Sequence, residues 1–212
     1  MDVVDLFSVP ILVHDLDNNE QLHYEEIEIL KSVEVFSQQS GHNLLSYDNN
    51  ILTKYNLNRI KNICDKYVSK YLNEVLFVSS ELQMFSSWLS VNKKFTKHYQ
   101  HSHVNTMLSC LIYFDEFGSD QFLSPIVFSQ NGLFDVFKSF QFKLNTTSDN
   151  RYNSQSVVIT PKTNTLIVFP GWLKHYTIES SSNVERYCLG TNYFFVGESG
   201  SNYHRLNLEV KK

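Results

Sequence analysis

The stretch that decides the reading of this chain is His101-Ser102-His103-Val104-Asn105-Thr106-Met107-Leu108-Ser109-Cys110-Leu111-Ile112-Tyr113-Phe114. Its second half is an apolar run of strand length, which reads as a buried strand that anchors whatever precedes it. Its first half sets two histidines at i and i+2. Side chains alternate across extended backbone, so both imidazoles point the same way. Far along the chain, Thr165-Leu166-Ile167-Val168-Phe169-Pro170 forms a second hydrophobic strand, ending at the turn Gly171-Trp172 just before His175. A third imidazole from there closes a facial three-point metal site and leaves the opposite face open. Imidazole nitrogen suits divalent iron, zinc, copper and nickel, so the donors alone do not choose the metal. Arg186 opens the next strand, and an antiparallel return carries its guanidinium deep into the same pocket. Its planar fork is matched to a carboxylate, so it is expected to hold an anionic co-substrate near the metal.

Outward from these residues the texture is β. Gln83 to Val91, Met107 to Phe114, Ile126 to Gln130, Val157 to Thr160, Thr165 to Pro170 and Glu185 to Val196 are strand candidates. Their β-branched and aromatic enrichment, with turn residues between them, favours an antiparallel barrel or sandwich. Before about Leu76 the pattern is mostly helical. Phe7 to Val13 reads as a strand, with Pro10 marking an edge or entry position. Leu22, Ile27, Leu30, Val33 and Phe36 recur at helical spacing between Asn18 and Gln39, with Glu20, Glu25 and Glu26 near the start. A polar stretch from Ser40 to Asn50 separates this from a second helix, whose stripe runs Leu57, Ile60, Ile63, Cys64, Tyr67, Val68, Tyr71 and Leu72. Both helices are expected to pack on the outside of a sheet. No internal repeat is visible. The division is one domain over residues 1–212: a strand and packing helices over 1–75, a β-barrel core over 76–200 and a tail over 201–212. The polar segment Phe142 to Ser156 reads as a hairpin loop or flap, and residues 115–156 as the substrate-facing loops.

Bulk properties exclude several classes of function. The formal charge is -4, with basic residues scattered among acids, which disfavours nucleic acid as a partner. No apolar run approaches the roughly 18 residues a membrane helix needs. The acidic start Met1-Asp2-Val3-Val4-Asp5 lacks the basic region of a signal peptide. Cys64, Cys110 and Cys188 are odd in number and widely spaced, so reduced, buried thiols in a cytoplasmic protein are expected. Of the other histidines, His14, His23, His42 and His204 read as surface or core residues. His98 lies three residues before His101, either behind the site or exposed. Asp115, Glu116 and Asp120 lie too far along the chain to supply a carboxylate ligand without a reversal.

These residues resemble the 2-oxoglutarate and Fe(II)-dependent oxygenases, whose pattern is His-x-Asp/Glu, a distant His, then Arg or Lys on the following strand. More narrowly, Leu6-Phe7-Ser8-Val9-Pro10-Ile11, His101-Ser102-His103 before Leu108-Ser109, Phe169-Pro170-Gly171-Trp172-Leu173-Lys174-His175 and Glu185-Arg186 resemble an oxygenase family of phages and marine bacteria. The resemblance implies a mainly β fold with flanking helices, a double-stranded β-helix or jelly-roll barrel like that of cupins. It implies Fe(II) as metal, 2-oxoglutarate and dioxygen as co-substrates, and a hydroxylase that couples decarboxylation of 2-oxoglutarate to succinate with substrate oxidation. His101 and His175 match the two histidine ligands, and Arg186 the 2-oxoglutarate anchor. His103 stands where the superfamily has a carboxylate. Three neutral imidazoles leave Fe(II) a formal charge of +2 at the site, one more than two histidines and a carboxylate leave.

Tyr113 is expected to reach the distal carboxylate of the co-substrate beside Arg186. Ser109, Asn192, Asn105 and Thr191 are expected to line the pocket, Trp88 and Gln100 to shape its entrance, and Trp172 to pack at the barrel rim. Two other readings stay open: a three-histidine cupin-type dioxygenase that does not use 2-oxoglutarate, and a non-catalytic jelly-roll module holding a metal. The substrate, whether a small molecule or a protein side chain, has no sequence signature. An edge strand near Pro10 permits a homodimer. A phage-encoded chain would work in the host cytoplasm.

Overall fold

The computed structural model describes residues 8–114, 124–129, 148, 154, 156–200 and 203–210. The elements up to the barrel are β1 (Leu12–Asp15), α1 (Tyr24–Lys31), β2 (Val35–Ser37), β3 (Leu44–Ser46), α2 (Ile51–Lys54) and α3 (Asn58–Lys70), with a π-helical turn over Tyr71–Val75. The barrel follows as β4 (Leu82–Asn92), β5 (Leu108–Phe114), β6 (Ile126–Ser129), β7 (Ser156–Ile159), β8 (Thr165–Pro170), β9 (Lys174–Thr177) and β10 (Arg186–Phe195). A terminal hairpin, β11 (Gly197–Ser199) and β12 (Leu206–Leu208), ends the described chain.

Seven strands form the larger sheet in the order β1-β8-β5-β10-β4-β3-β2, and β7-β6-β9 form a smaller one. All the strand pairs are antiparallel. Residues 98–103 add a fourth member to the smaller sheet beside β9. His101 and His175 exchange both backbone hydrogen bonds (3.0 and 2.9 Å), and Thr177 N–H donates to the His98 carbonyl at 3.0 Å. The larger sheet thus contributes β4, β10, β5 and β8, and the smaller one contributes 98–103, β9, β6 and β7. From β4 to β10 the chain crosses from one sheet to the other at every step except β6 to β7, which pair with each other in the smaller sheet, and this is the winding of a double-stranded β-helix, as expected.

Two apolar cores flank the larger sheet. Leu108, Cys110, Ile112 and Phe114 of β5 face the helices and pack with Ile60, Cys64, Val68 and Tyr71 of α3 and the π-helical turn. Leu111 and Tyr113 of the same strand face the barrel interior with Ile167, Phe169 and Cys188. A sheet covered on both faces has strands apolar at consecutive positions, which is why β5 and β8 read as continuous hydrophobic runs. The three cysteines are free and buried.

The N-terminal third departs from expectation. The helix foreseen over 18–39 is confined to Tyr24–Lys31. Asp17 accepts the Asn19 N–H in a turn, and Glu26 accepts the His23 N–H where the helix begins. Beyond Lys31, Val35 and Phe36 pair with β3, which lies within the polar stretch 40–50 that had read as a connection. Three-residue strands carry too little periodicity to register locally, and pairing of β3 with β4, and of β2 with β3, supplies what the local pattern lacks. The strand expected over 7–13 lies at Leu12–Asp15 and forms the sheet edge, as Pro10 suggested. Most of the flap over 142–156 and of the 115–156 loops, and the three acidic alternatives, Asp115, Glu116 and Asp120, lie outside the described residues. No described helix is long and apolar enough to cross a membrane.

Candidate metal centre

The site is built from barrel-facing positions on strands of both sheets. On 98–103, His101 and His103 turn inward while Ser102 is exposed, as period-two alternation requires. His175 turns inward from β9, where it is 5% exposed. One ligating atom from each of the three histidines lies within 4.8 Å of the others, a spacing that suits a metal ion. The rings meet at centroid distances of 4.3 Å (His101 to His175), 4.9 Å (His103 to His175) and 5.2 Å (His101 to His103).

Each ring is held from behind through Nδ1, which leaves Nε2 as the inward donor. His101 Nδ1 lies 2.8 Å from the Tyr99 carbonyl, and His175 Nδ1 lies 2.9 Å from that of Leu173. His103 Nδ1 lies 2.6 Å from Ser109 Oγ and 2.8 Å from Asn192 Oδ1, and Ser109 also donates to Asn192 at 2.8 Å. The walls are aromatic. Trp88 meets His103 edge-on at 5.3 Å, and Phe169 meets His175 at 4.9 Å. Burial pushes all three imidazoles toward the neutral form, the one that ligates: His103 to about 4, His175 to about 3, and His101 below its ordinary value.

Arg186 enters the same cavity from the start of β10 and is 2% exposed. Its Nη1 donates to the Ser124 carbonyl and its Nη2 to Asn92 Oδ1 at 3.1 Å, while its carbon centre lies 5.2 Å from the Tyr113 ring. Its Nε has no hydrogen-bond partner among the described residues. Glu185, next in sequence, turns away to Lys93 and Tyr187. Among the described residues, then, a buried guanidinium is held by neutral acceptors alone. Such a cation asks for an anion.

The sequence-derived candidates fall into three groups. His101, His103, His175, Arg186, Tyr113 and Trp88 share the cavity. Tyr113 is buried beside Arg186, and burial raises its pKa. Ser109 and Asn192, expected to line the pocket, stand behind His103 and hydrogen-bond its Nδ1. Thr191 faces away and donates to the Cys110 carbonyl, Asn105 is exposed in a turn at φ 54°, and Gln100 is exposed and donates to Ser129. Trp172 is 60% exposed at the rim. Three cavity-side residues escaped the sequence reading or were left undecided by it: Asn92, Thr177 and His98, whose ring stacks on His101 at 4.1 Å. The available signal was alternation, since Asn92 continues the inward series Trp88 and Ser90, and Thr177 lies two residues past His175.

Residues 86–192 match a family model described as "Putative 2OG-Fe(II) oxygenase". The match begins on β4 at Ser86 and ends at Asn192, its register partner on β10, so it spans the barrel from first strand to last. The chain belongs to this family of 2OG-Fe(II) oxygenases. Its metal is therefore Fe(II), and its co-substrates are 2-oxoglutarate and dioxygen. Solved structures agree on the fold. The oxygenase resembles HygX from Streptomyces hygroscopicus, solved with nickel and 2-oxoglutarate, with a TM-score of 0.61, 10% identity and coverage of 88% of this chain and 83% of that one. It resembles a Pseudomonas putida prolyl-4-hydroxylase with a TM-score of 0.55 and 10% identity, over 90% and 95% of the two chains. A Burkholderia pseudomallei oxidoreductase of the 2OG-Fe(II) family gives 0.55 and 11%, over 87% and 84%. No curated protein matches the sequence.

Proposed function

We propose that His101, His103 and His175 hold the Fe(II), that Arg186 pairs with a carboxylate of 2-oxoglutarate, and that the oxidised substrate leaves hydroxylated. The observation that carries this reading is the meeting of three neutral, convergent imidazoles and one uncompensated guanidinium in a single cavity. The donors fit the metal, since neutral imidazole is a ligand for divalent iron. The Arg186 pocket fits the co-substrate, since its free Nε and neutral surroundings suit a carboxylate. Fe(II) with 2-oxoglutarate and dioxygen supplies the oxidising chemistry: decarboxylation to succinate and carbon dioxide, with oxygen transfer to a substrate C–H bond.

The chain's own residues bind, orient and exclude water. The Nδ1 contacts fix each imidazole plane, and Ser109 with Asn192 holds His103 in the tautomer that leaves Nε2 facing inward. Tyr113 covers one face of the guanidinium and keeps that end of the cavity dry. Three neutral ligands leave the metal's full formal charge to attract the 2-oxoglutarate dianion, so Arg186 and the metal act on it together.

The test is anaerobic titration of the Fe(II)-loaded protein with 2-oxoglutarate, following the visible charge-transfer absorption of the chelate. Arg186→Ala is expected to weaken 2-oxoglutarate binding by ~2–5 kcal/mol, the cost of leaving a buried charge unpaired. Unchanged affinity in that variant sinks the anchor assignment. A titration without any absorption change favours a three-histidine dioxygenase that binds its substrate directly.

A further inference from the structure

The guanidinium that the cavity leaves without an anion is itself held by a residue the sequence did not single out. Asn92 and Arg186 are register partners across β4 and β10, so their side chains leave the sheet on the same face at the same level. Asn92 is 1% exposed, and both ends of its amide are used. Its Oδ1 accepts from Arg186 Nη2 at 3.1 Å, and its Nδ2 donates to Thr177 Oγ1 at 3.0 Å. That same Thr177 oxygen accepts the His98 backbone N–H at 2.7 Å, while the Thr177 N–H donates to the His98 carbonyl at 3.0 Å. His98 is therefore clamped to β9 on both sides, and its ring lies on His101 at 4.1 Å with 28° between planes. One threonine hydroxyl thus joins the two ends of the cavity, which come from strands of opposite sheets.

The chemistry of Asn92 suits this task. A carboxylate at position 92 would grip Arg186 more strongly but would neutralise it, leaving nothing for an incoming anion. An amide holds the guanidinium by one neutral acceptor and leaves its charge free. We infer that Asn92 and Thr177 form a positioning bridge that aims Arg186 at the co-substrate and keeps it in register with the His98–His101 edge of the iron site. The inference rests on the assignment of Arg186 as anchor and of His101 as ligand.

The experiment uses the full chain, loaded anaerobically with Fe(II) and titrated with 2-oxoglutarate, with Fe(II) affinity and thermal melting measured alongside. Thr177→Val removes the shared acceptor, and Thr177→Ser keeps it. Loss of the bridge is expected to raise the Kd for 2-oxoglutarate in Thr177→Val by about tenfold or more and to shift the chelate absorption. Thr177→Ser is expected to stay within about twofold of the parent, while Fe(II) affinity changes by less than about threefold in either variant. Asn92→Asp, which preserves shape but supplies the missing anion, is expected to fold and to lose about tenfold or more of 2-oxoglutarate affinity. Parent-like affinity in both Thr177→Val and Asn92→Asp, with Arg186→Ala still defective, overturns the bridge and leaves the anchor standing. Equal losses in Thr177→Val and Thr177→Ser overturn it too, because side-chain bulk rather than the hydroxyl would then be the cause. If Arg186→Ala itself keeps full affinity, the anchor assignment falls and the bridge falls with it. Should Asn92→Asp melt at the assay temperature, the Thr177 pair decides alone.

Discussion

On β10, Tyr187, Leu189, Thr191 and Tyr193 face the helices, whereas Arg186, Cys188, Gly190 and Asn192 face the barrel. The same alternation runs along β5, with Cys110 and Ile112 on one side and Ser109, Leu111 and Tyr113 on the other. The helix side is mostly apolar contact, and its Tyr193 hydroxyl is satisfied by Asp65 at 2.8 Å. The barrel side keeps bonding capacity in reserve: three converging imidazoles and a guanidinium whose Nε has no hydrogen-bond partner among the described residues. Stability and chemistry are thus assigned to opposite faces of the same strands. The lesson is that unsatisfied capacity, confined to one face of an otherwise well-packed sheet, marks where a ligand belongs.

The sharpest way to break that division is a pair of substitutions, one on each face. His175→Ala is expected to abolish Fe(II) binding while the fold is retained, checked by metal titration and circular dichroism. Ile112→Ala, at a fully buried position of the helix side, is expected to cost ~2–5 kcal/mol of unfolding free energy and to leave Fe(II) affinity unchanged. Loss of metal binding in Ile112→Ala would show that the two faces are not separable.

Acid should act through the barrel side. The folded pKa of His175 is depressed to about 3 and that of His103 to about 4, whereas an unfolded histidine titrates near 6.5. Below about pH 6.5 the unfolded chain therefore binds protons that the folded one refuses, and stability falls as pH drops toward the folded values. His175 alone is expected to remove on the order of 3 kcal/mol between pH 6.5 and 4 in the metal-free protein. Denaturant melts across that range check it, and bound Fe(II) should deepen the dependence because the metal needs the same neutral nitrogens.

A smaller effect is expected within the barrel face, at the register pair Gly190 and Trp88. A Cβ at Gly190 would lie 2.4 Å from the Trp88 ring, which itself rests against His103. Gly190→Ala should cost ~1–3 kcal/mol by forcing the indole aside. Because the displaced ring is a wall of the proposed metal site, Fe(II) affinity should fall along with the melting temperature. A stability loss with unaltered metal binding would assign Trp88 to packing alone.

Much of this was legible in the sequence. The two-sided apolar runs of β5 and β8, the α3 stripe and the inward parity of His101 and His103 are local patterns, fixed by backbone period and side-chain type. So was the placing of Arg186 at the start of the strand after His175. What the tertiary structure decided is who meets whom. Leu44–Ser46 becomes a strand because β4 offers it an edge, and Val35–Ser37 because Leu44–Ser46 then offers the next one. Ser109 and Asn192 stand behind His103 because β5 and β10 pair in a register that sets them side by side. Asn92 reaches Arg186 and Thr177 across 94 and 85 residues of chain. Periodicity tells each strand which side chains share a face. The register between distant strands, set by the packing of the whole barrel, decides which of those side chains touch.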